Sequence, residues 1–192
     1  MPDWEARYAA ADAAAARPAR VLEEFAHLLP HGGRGLDLAC GLGANARLLA
    51  RRGLTVWAWD SSSTAIAQLA AVAEREGLAL YAQTRDVLAM PPGPETFDVI
   101  IVSHFLERSL APVLGAALHP GGLLFYQTFV RESVNAGRGP RRPEYRLAAG
   151  ELATLFPRLR LIVYREEGRL GDLEAGFRDE AYAVFQRTRE GQ

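Results

Sequence analysis

The sequence predicts an α/β fold, a doubly wound and mostly parallel seven-stranded sheet that closes on an antiparallel strand pair. Three observations carry this. β-rich apolar runs alternate with helical periodicity for most of the chain. Residues 36–45, Leu-Asp-Leu-Ala-Cys-Gly-Leu-Gly-Ala-Asn, read as a buried strand that enters a helix through a glycine turn. Residues 97–103 are apolar without alternation at their centre, as in a strand covered on both faces.

Taken in order, Trp4, Arg7 and Tyr8 precede an alanine-rich segment too small in side chain to hold its place unless it docks. From Pro18, Val21, Leu22, Phe25, Leu28 and Leu29 make one apolar helical face that Pro30 and Gly32-Gly33 end. Residues 1–30 are thus expected to form a lid and a packing helix. The first strand runs from about 34 to 39, and its following helix repeats Ala46, Leu49 and Ala50 up to a glycine cap at Gly53. A second strand, 54–59, is closed by Asp60, with Ser61, Ser62 and Ser63 free to cap the next helix, whose face is Ile66, Leu69, Ala70 and Ala73 and whose stop is Gly77. A third strand covers 78–83. After the central strand come a helix with Leu110, Leu114, Ala117 and Leu118, a Pro120-Gly121-Gly122 stop, and a strand over 123–129. Residues 130–146 break the rhythm with two glycines, two prolines and five arginines, the composition of a functional or disordered loop; 130–147 is the candidate substrate loop. Leu152, Leu155 and Phe156 mark a short helix, and the runs 159–164 and 180–187 are joined too closely for a crossover, so they pair antiparallel.

Composition narrows the function. The 192 residues carry a net charge of −1, 49% hydrophobic and 23% charged residues, and no linker, so one domain over 1–192 is expected. A near-neutral balance argues against a protein built to grip nucleic acid or an anionic membrane. No apolar run reaches the ~20 residues of a membrane span, and Met1-Pro2-Asp3-Trp4-Glu5 lacks the parts of a signal peptide, so a cytoplasmic location is expected. All 22 basic residues are arginine, which removes mechanisms that need a lysine Schiff base or a P-loop lysine. The single cysteine, Cys40, cannot make an internal disulfide, and the scatter of His27, His31 and His119 gives no metal-ligand spacing.

In an open parallel sheet a ligand lies beyond the carboxyl ends of the strands, where strand order reverses. Polar residues fall at those ends. Gly41 and Gly43 let backbone approach a ligand, Asp37 could face a cationic amino group, Asp60 a ribose diol and Asp86 an adenine amino group. Gly41-Leu42-Gly43-Ala44-Asn45-Ala46 also satisfies the dinucleotide pattern G-x-G-x-x-G/A, so an NAD-dependent oxidoreductase competes.

Asp37-Leu38-Ala39-Cys40-Gly41-Leu42-Gly43, Asp60, Asp86, Phe97-Asp98-Val99-Ile100 and Pro120-Gly121-Gly122 together resemble the successive motifs of class I S-adenosylmethionine-dependent methyltransferases. Residues 103–110 and 145–152 resemble more narrowly the tellurite-resistance-like branch, small-molecule methyltransferases of bacteria. The resemblance implies S-adenosyl-L-methionine as cofactor and S-adenosyl-L-homocysteine as product. It implies that Asp37, Ala39, Gly41 and Gly43 line the methionine moiety, Asp60 and Ser61 the ribose, Asp86 and Val87 the adenine, with Ser103 beside them; Ala39 stands where many members carry glycine.

Because the sulfonium methyl is already activated, alignment should dominate catalysis, and a base is needed only for a protonated nucleophile. His104, just past the fourth strand, is the candidate base. Trp4 and Tyr8, with Arg138, Arg141, Arg142 and Arg146, are candidates for the acceptor, the arginines pointing to a small anion held by bidentate bonds. The expected partner is a small-molecule methyl acceptor, conceivably an oxyanion or a thiol, for a monomer or homodimer. The competing class is a non-catalytic S-adenosylmethionine-binding sensor or activating subunit.

Overall fold

The computed structural model describes residues 4–135 and 137–189, with the side chain of Trp4 outside the described residues. Seven strands, β1 (Arg34–Leu38), β2 (Thr55–Asp60), β3 (Leu80–Thr84), β4 (Phe97–Ser103), β5 (Leu118–Phe129), β6 (Arg160–Glu166) and β7 (Glu180–Gln186), form one sheet in the order β3-β2-β1-β4-β5-β7-β6. The first five are parallel; β7 runs antiparallel between β5 and β6. Strand order reverses between β1 and β4, which is where a parallel sheet opens a crevice for a ligand.

Strand alternation divides the core into two layers. Leu36, Leu38, Ile100, Val102 and Leu124 face one side, where they meet Leu110 and Leu114, together with Leu152 and Phe156. Val56, Ala58, Val99, Ile101 and Phe125 face the other, against Val21, Leu22, Leu49 and Leu69. The second layer is the functional one: by the same two-residue period Asp37, Asp60, Ser103 and Gln127 leave the sheet on that face, at its carboxyl end.

Helices α1 (Trp4–Ala9), α2 (Arg20–Glu24), α3 (Ala44–Arg51), α4 (Ser63–Glu76), α5 (Ala111–Ala117) and α6 (Glu151–Thr154) fill the layers. Gly77 ends α4 in the left-handed conformation, and Ser62 caps its start by accepting the Ala65 N–H at 3.1 Å. Two expectations change. The apolar run after Pro18 is helical only over Arg20–Glu24 before a 3-10 turn at Ala26–Leu28; at its start the Ala19 and Val21 N–H groups, which have no acceptor within a helix, are taken by the side chains of Asn45 and Gln127. The stretch at Pro120-Gly121-Gly122 does not stop a helix: Leu118 already pairs with Phe97, and the ladder resumes at Leu123–Val99 across an irregularity, with the Gly121 N–H bonded to Arg187. Among the described residues no helix is long and apolar enough to cross a membrane.

Candidate functional site

The turn after β1 is built from strained backbone. Ala39, Gly41 and Gly43 all have positive φ, at 56°, 52° and 70°. For Ala39 that left-handed conformation costs about 1–2 kcal/mol, which accounts physically for a position where glycine would serve. The two glycines have different reasons. A Cβ on Gly43 would lie 2.3 Å from a Leu69 methyl, so this glycine lets α4 pack against the turn. A Cβ on Gly41 would lie 2.9 Å from the Tyr8 hydroxyl, so this glycine lets the Tyr8 ring of α1 pack on the turn.

Asp60 organises the turn. One carboxylate oxygen accepts the Gly41 N–H at 2.8 Å and the other the Ser62 N–H at 2.9 Å. A carboxylate has about four acceptor positions, so capacity for a diol remains. Ser61, beside it, is exposed, and the capping role belongs to Ser62.

Asp37 is fully buried, because β1 turns its side chain toward the start of α3, where Oδ2 accepts the Ala46 N–H at 2.9 Å. Its Oδ1 has no partner among the described residues. Burial pushes the carboxyl well above the ordinary range, with the Ala46 N–H and the nearby Asn45 side chain opposing and the charge of Asp60 adding to the rise. Such an orphaned buried oxygen suits a cationic donor. Cys40 is buried behind the turn, its thiol pushed up by burial and then by Asp37 and Asp60, which makes it unreactive.

At the end of β3, Arg85 lies 3.8 Å over the Trp59 ring and donates to the Met90 and Pro91 carbonyls, pinning the loop that carries Asp86 and Val87. The Asp86 carboxylate is exposed and turns the chain by accepting from the Leu88 and Ala89 N–H groups through Oδ1; the Val87 side chain is buried in the core. Ser103, at the end of β4, accepts from Asn45 Nδ2 at 2.9 Å.

Helix α1 lies on α4. Glu5 accepts the Ser63 and Thr64 N–H groups, Gln68 donates to the Tyr8 carbonyl at 2.9 Å, and the Tyr8 ring covers Gly41. Burial, then the charge of Asp60, pushes the Tyr8 phenol up to about 12, so it stays a neutral hydrogen-bonding group at neutral pH.

A cleft of about 660 Å³ opens at the carboxyl end of β4 and β5, lined by Arg17, Arg20, His104, Gln127, Arg138 and Glu180 among others. His104 is half exposed and held at φ 55° by the bond from its N–H to the Gln127 carbonyl. Of the four loop arginines the structure brings only Arg138 to this cleft. Arg146 instead ties the loop together by donating to the carbonyls of Val130, Arg138 and Pro140. Arg141 and Arg142 are exposed, Arg142 lying 3.8 Å from Glu144. The sequence reading missed Glu180, Gln127 and Asn45. The antiparallel sense expected for the last strand was the available signal for Glu180, since it brings that strand's first residue to the end where the parallel strands finish.

Comparison with known proteins adds independent findings. The family model described as a methyltransferase domain matches residues 36–122. The chain is similar to the ubiquinone biosynthesis O-methyltransferase of Methylocella silvestris, at 34% identity over 105 residues, which cover 52% of this chain and 41% of that relative. The match thus spans less than half the length of this curated relative. Among solved structures, one determined for the conversion of a disulfide bond into a thioacetal group during echinomycin biosynthesis superposes with a TM-score of 0.68 at 25% identity, covering 94% of this chain and 86% of that one. TehB from Haemophilus influenzae superposes with a TM-score of 0.68 at 24% identity, over 91% of this chain and 63% of its own. The sheet described above is the one these neighbours share.

Proposed function

We propose that this chain, whose residues 36–122 match the family model described as a methyltransferase domain, is a class I S-adenosylmethionine-dependent methyltransferase that transfers the methyl group to a hydroxyl of a small acceptor carrying an anionic group. The observation that supports the transfer is that the Gly41 turn, with the strand-end carboxylates Asp37 and Asp60, and the cleft whose wall holds His104 lie at the same carboxyl end of the sheet, linked through the Asn45–Ser103 bond. When bound, S-adenosylmethionine supplies an activated sulfonium methyl and leaves as S-adenosylhomocysteine. Asp37, Gly41, Asp60 and Asp86 would hold it, with the unpartnered oxygen of Asp37 for the amino group and the spare acceptor positions of Asp60 for the ribose. Tyr8 and α1 close over the turn and exclude water.

A hydroxyl must lose its proton as the C–O bond forms, and the His104 imidazole on the cleft wall is the group placed to take it. The likeness to O-methyltransferases supports a hydroxyl over an oxyanion. The likeness to TehB, and the residues 103–110 and 145–152, support placing the chain beside the tellurite-resistance-like branch in fold. A charged, half-exposed Arg138 favours an anionic acceptor.

Calorimetric titration tests the cofactor: S-adenosylmethionine and S-adenosylhomocysteine bind and NAD(H) does not, and the reverse pattern would overturn the reading. With a screen of catechols such as 3,4-dihydroxybenzoate, thiols and oxyanions in hand, His104→Ala lowers kcat by about 10²–10⁴-fold at unchanged cofactor affinity. Wild-type turnover in that variant removes the base. In the same assay Arg138→Met raises KM for carboxylate-bearing acceptors by about tenfold or more, the worth of one charged hydrogen bond, while Arg141→Ala and Arg142→Ala leave it unchanged. Equal KM in all three would withdraw the anion.

A further inference from the structure

We propose that Glu180 is the positioning residue of the acceptor cleft, one buried carboxylate divided between the His104 imidazole and the Arg138 guanidinium, fixing the tautomer and the charge of the imidazole. This rests on the reading of His104 as the base.

The geometry is specific. Glu180 begins β7, whose antiparallel sense delivers it to the carboxyl end of β5, and its side chain is only 2% exposed. Oε2 receives His104 Nε2 at 3.1 Å and Gln127 Nε2 at 2.6 Å; Oε1 receives Arg138 Nη2 at 2.8 Å. The Gln127 amide is oriented from its other side, since its Oε1 accepts the Val21 N–H at 2.9 Å, so its NH₂ must face Glu180. Burial alone would raise the Glu180 carboxyl, but bonds from His104 and Gln127 and the charge of Arg138 outweigh it and hold the group below the ordinary range. An ionised carboxylate only accepts. The proton of a neutral His104 therefore sits on Nε2, and Nδ1 is left as the basic nitrogen.

Burying a charge this deeply is costly unless it is paired, so three donors converging on one carboxylate at the cleft wall form a built arrangement. The imidazole is held in register by its left-handed backbone and by the Phe129 ring, 5.0 Å away. Of the other charges around the cleft, Glu24 is engaged with Arg20 and Tyr182 and Arg178 with the carbonyls of Gly168 and Asp172, whereas Asp179, held by the backbone of Val134 and Asn135, also lies 4.0 Å from Arg138 Nη1. Arg17, Glu23 and Glu174 line the cleft without a bond to this pair. Glu180 and Arg138 thus set the charge environment of His104, with opposite signs.

Diethyl pyrocarbonate, which acylates only the unprotonated imidazole, reads this directly on the full chain, with modification at His104 followed by mass spectrometry at pH 6 and pH 8. Glu180→Gln removes an anion at contact distance that favours imidazolium, so His104 reacts about threefold faster at pH 6, with little change at pH 8. Arg138→Met acts in the opposite direction and slows the reaction at pH 6 a few-fold. Faster modification at both pH values would report a merely loosened loop and overturn the proposal, as would no change at either. If Glu180→Gln does not fold, Arg138→Met decides alone, and unaltered modification at pH 6 rejects the shared carboxylate. The expected carbethoxylation pattern beside wild-type methyl transfer in His104→Ala would overturn the base reading alone.

Discussion

Asp60→Ala is expected to lose at least about 100-fold in S-adenosylmethionine affinity and to lower the melting temperature by at least about 4 °C. Both effects come from one carboxylate. In the folded chain it takes the Gly41 N–H, which fixes the turn, and the Ser62 N–H, which fixes the start of α4. Alanine leaves these buried donors unsatisfied, at about 1–3 kcal/mol each, and a chain of this size moves by about 2–4 °C per kcal/mol. The affinity falls twice over, through the lost acceptors for the ribose and through a turn no longer held in its left-handed conformation. Asp60→Asn separates the two: one carbonyl still accepts from the backbone, so the melting temperature recovers more than the affinity does. Calorimetric binding and thermal melting on the three proteins check this, and an Asp60→Ala protein with unchanged affinity would remove Asp60 from the cofactor site.

The sheet was legible because its signals are local. Alternating β-rich and periodic segments identify a parallel sheet, and a carboxylate such as Asp60 at a strand end can be placed from the strand alone. The glycine turn was legible in position but not in mechanism, since nothing local distinguishes Gly43, emptied for the Leu69 side chain of α4, from Gly41, emptied for the Tyr8 ring of α1. The acceptor cleft was the least legible part. His104 and Glu180 meet across 76 positions of sequence, and Gln127 joins Val21 across 106; such pairs follow from register, which periodicity does not carry. The loop arginines misled for a related reason. Composition shows that guanidinium groups are concentrated there, but whether one reaches a cleft, as Arg138 does, or braces its own loop carbonyls, as Arg146 does, depends on the loop's path.

Asp37 gives the second large effect, because here stability and function oppose each other. Its carboxyl is fully buried, has one oxygen without a partner, and is raised well above the ordinary range chiefly by burial. The folded chain therefore binds a proton that the unfolded chain releases near pH 4, so stability from this group is greatest at low pH and is lost as pH rises from there toward the folded value. Asp37→Asn removes the ionisation while its carbonyl still accepts the Ala46 N–H. Without cofactor the variant should melt about 2–6 °C higher at pH 7, corresponding to roughly 1–2 kcal/mol, with the gain shrinking toward pH 4. With cofactor the order reverses. The wild-type carboxylate gains a cationic amino group as the partner it lacks, and the asparagine does not, so S-adenosylmethionine affinity falls about 10–100-fold, the worth of one hydrogen bond to a charged group. Melting curves with and without saturating S-adenosylmethionine, at pH 4.5 and pH 7, contain the whole comparison. Equal stabilisation of both proteins by the cofactor would mean that the unpartnered oxygen does not face it, and the strand-end acid would then serve α3 alone. The expected crossing, stable when empty and weak when loaded, is the signature of a buried charge kept for a ligand rather than for the fold.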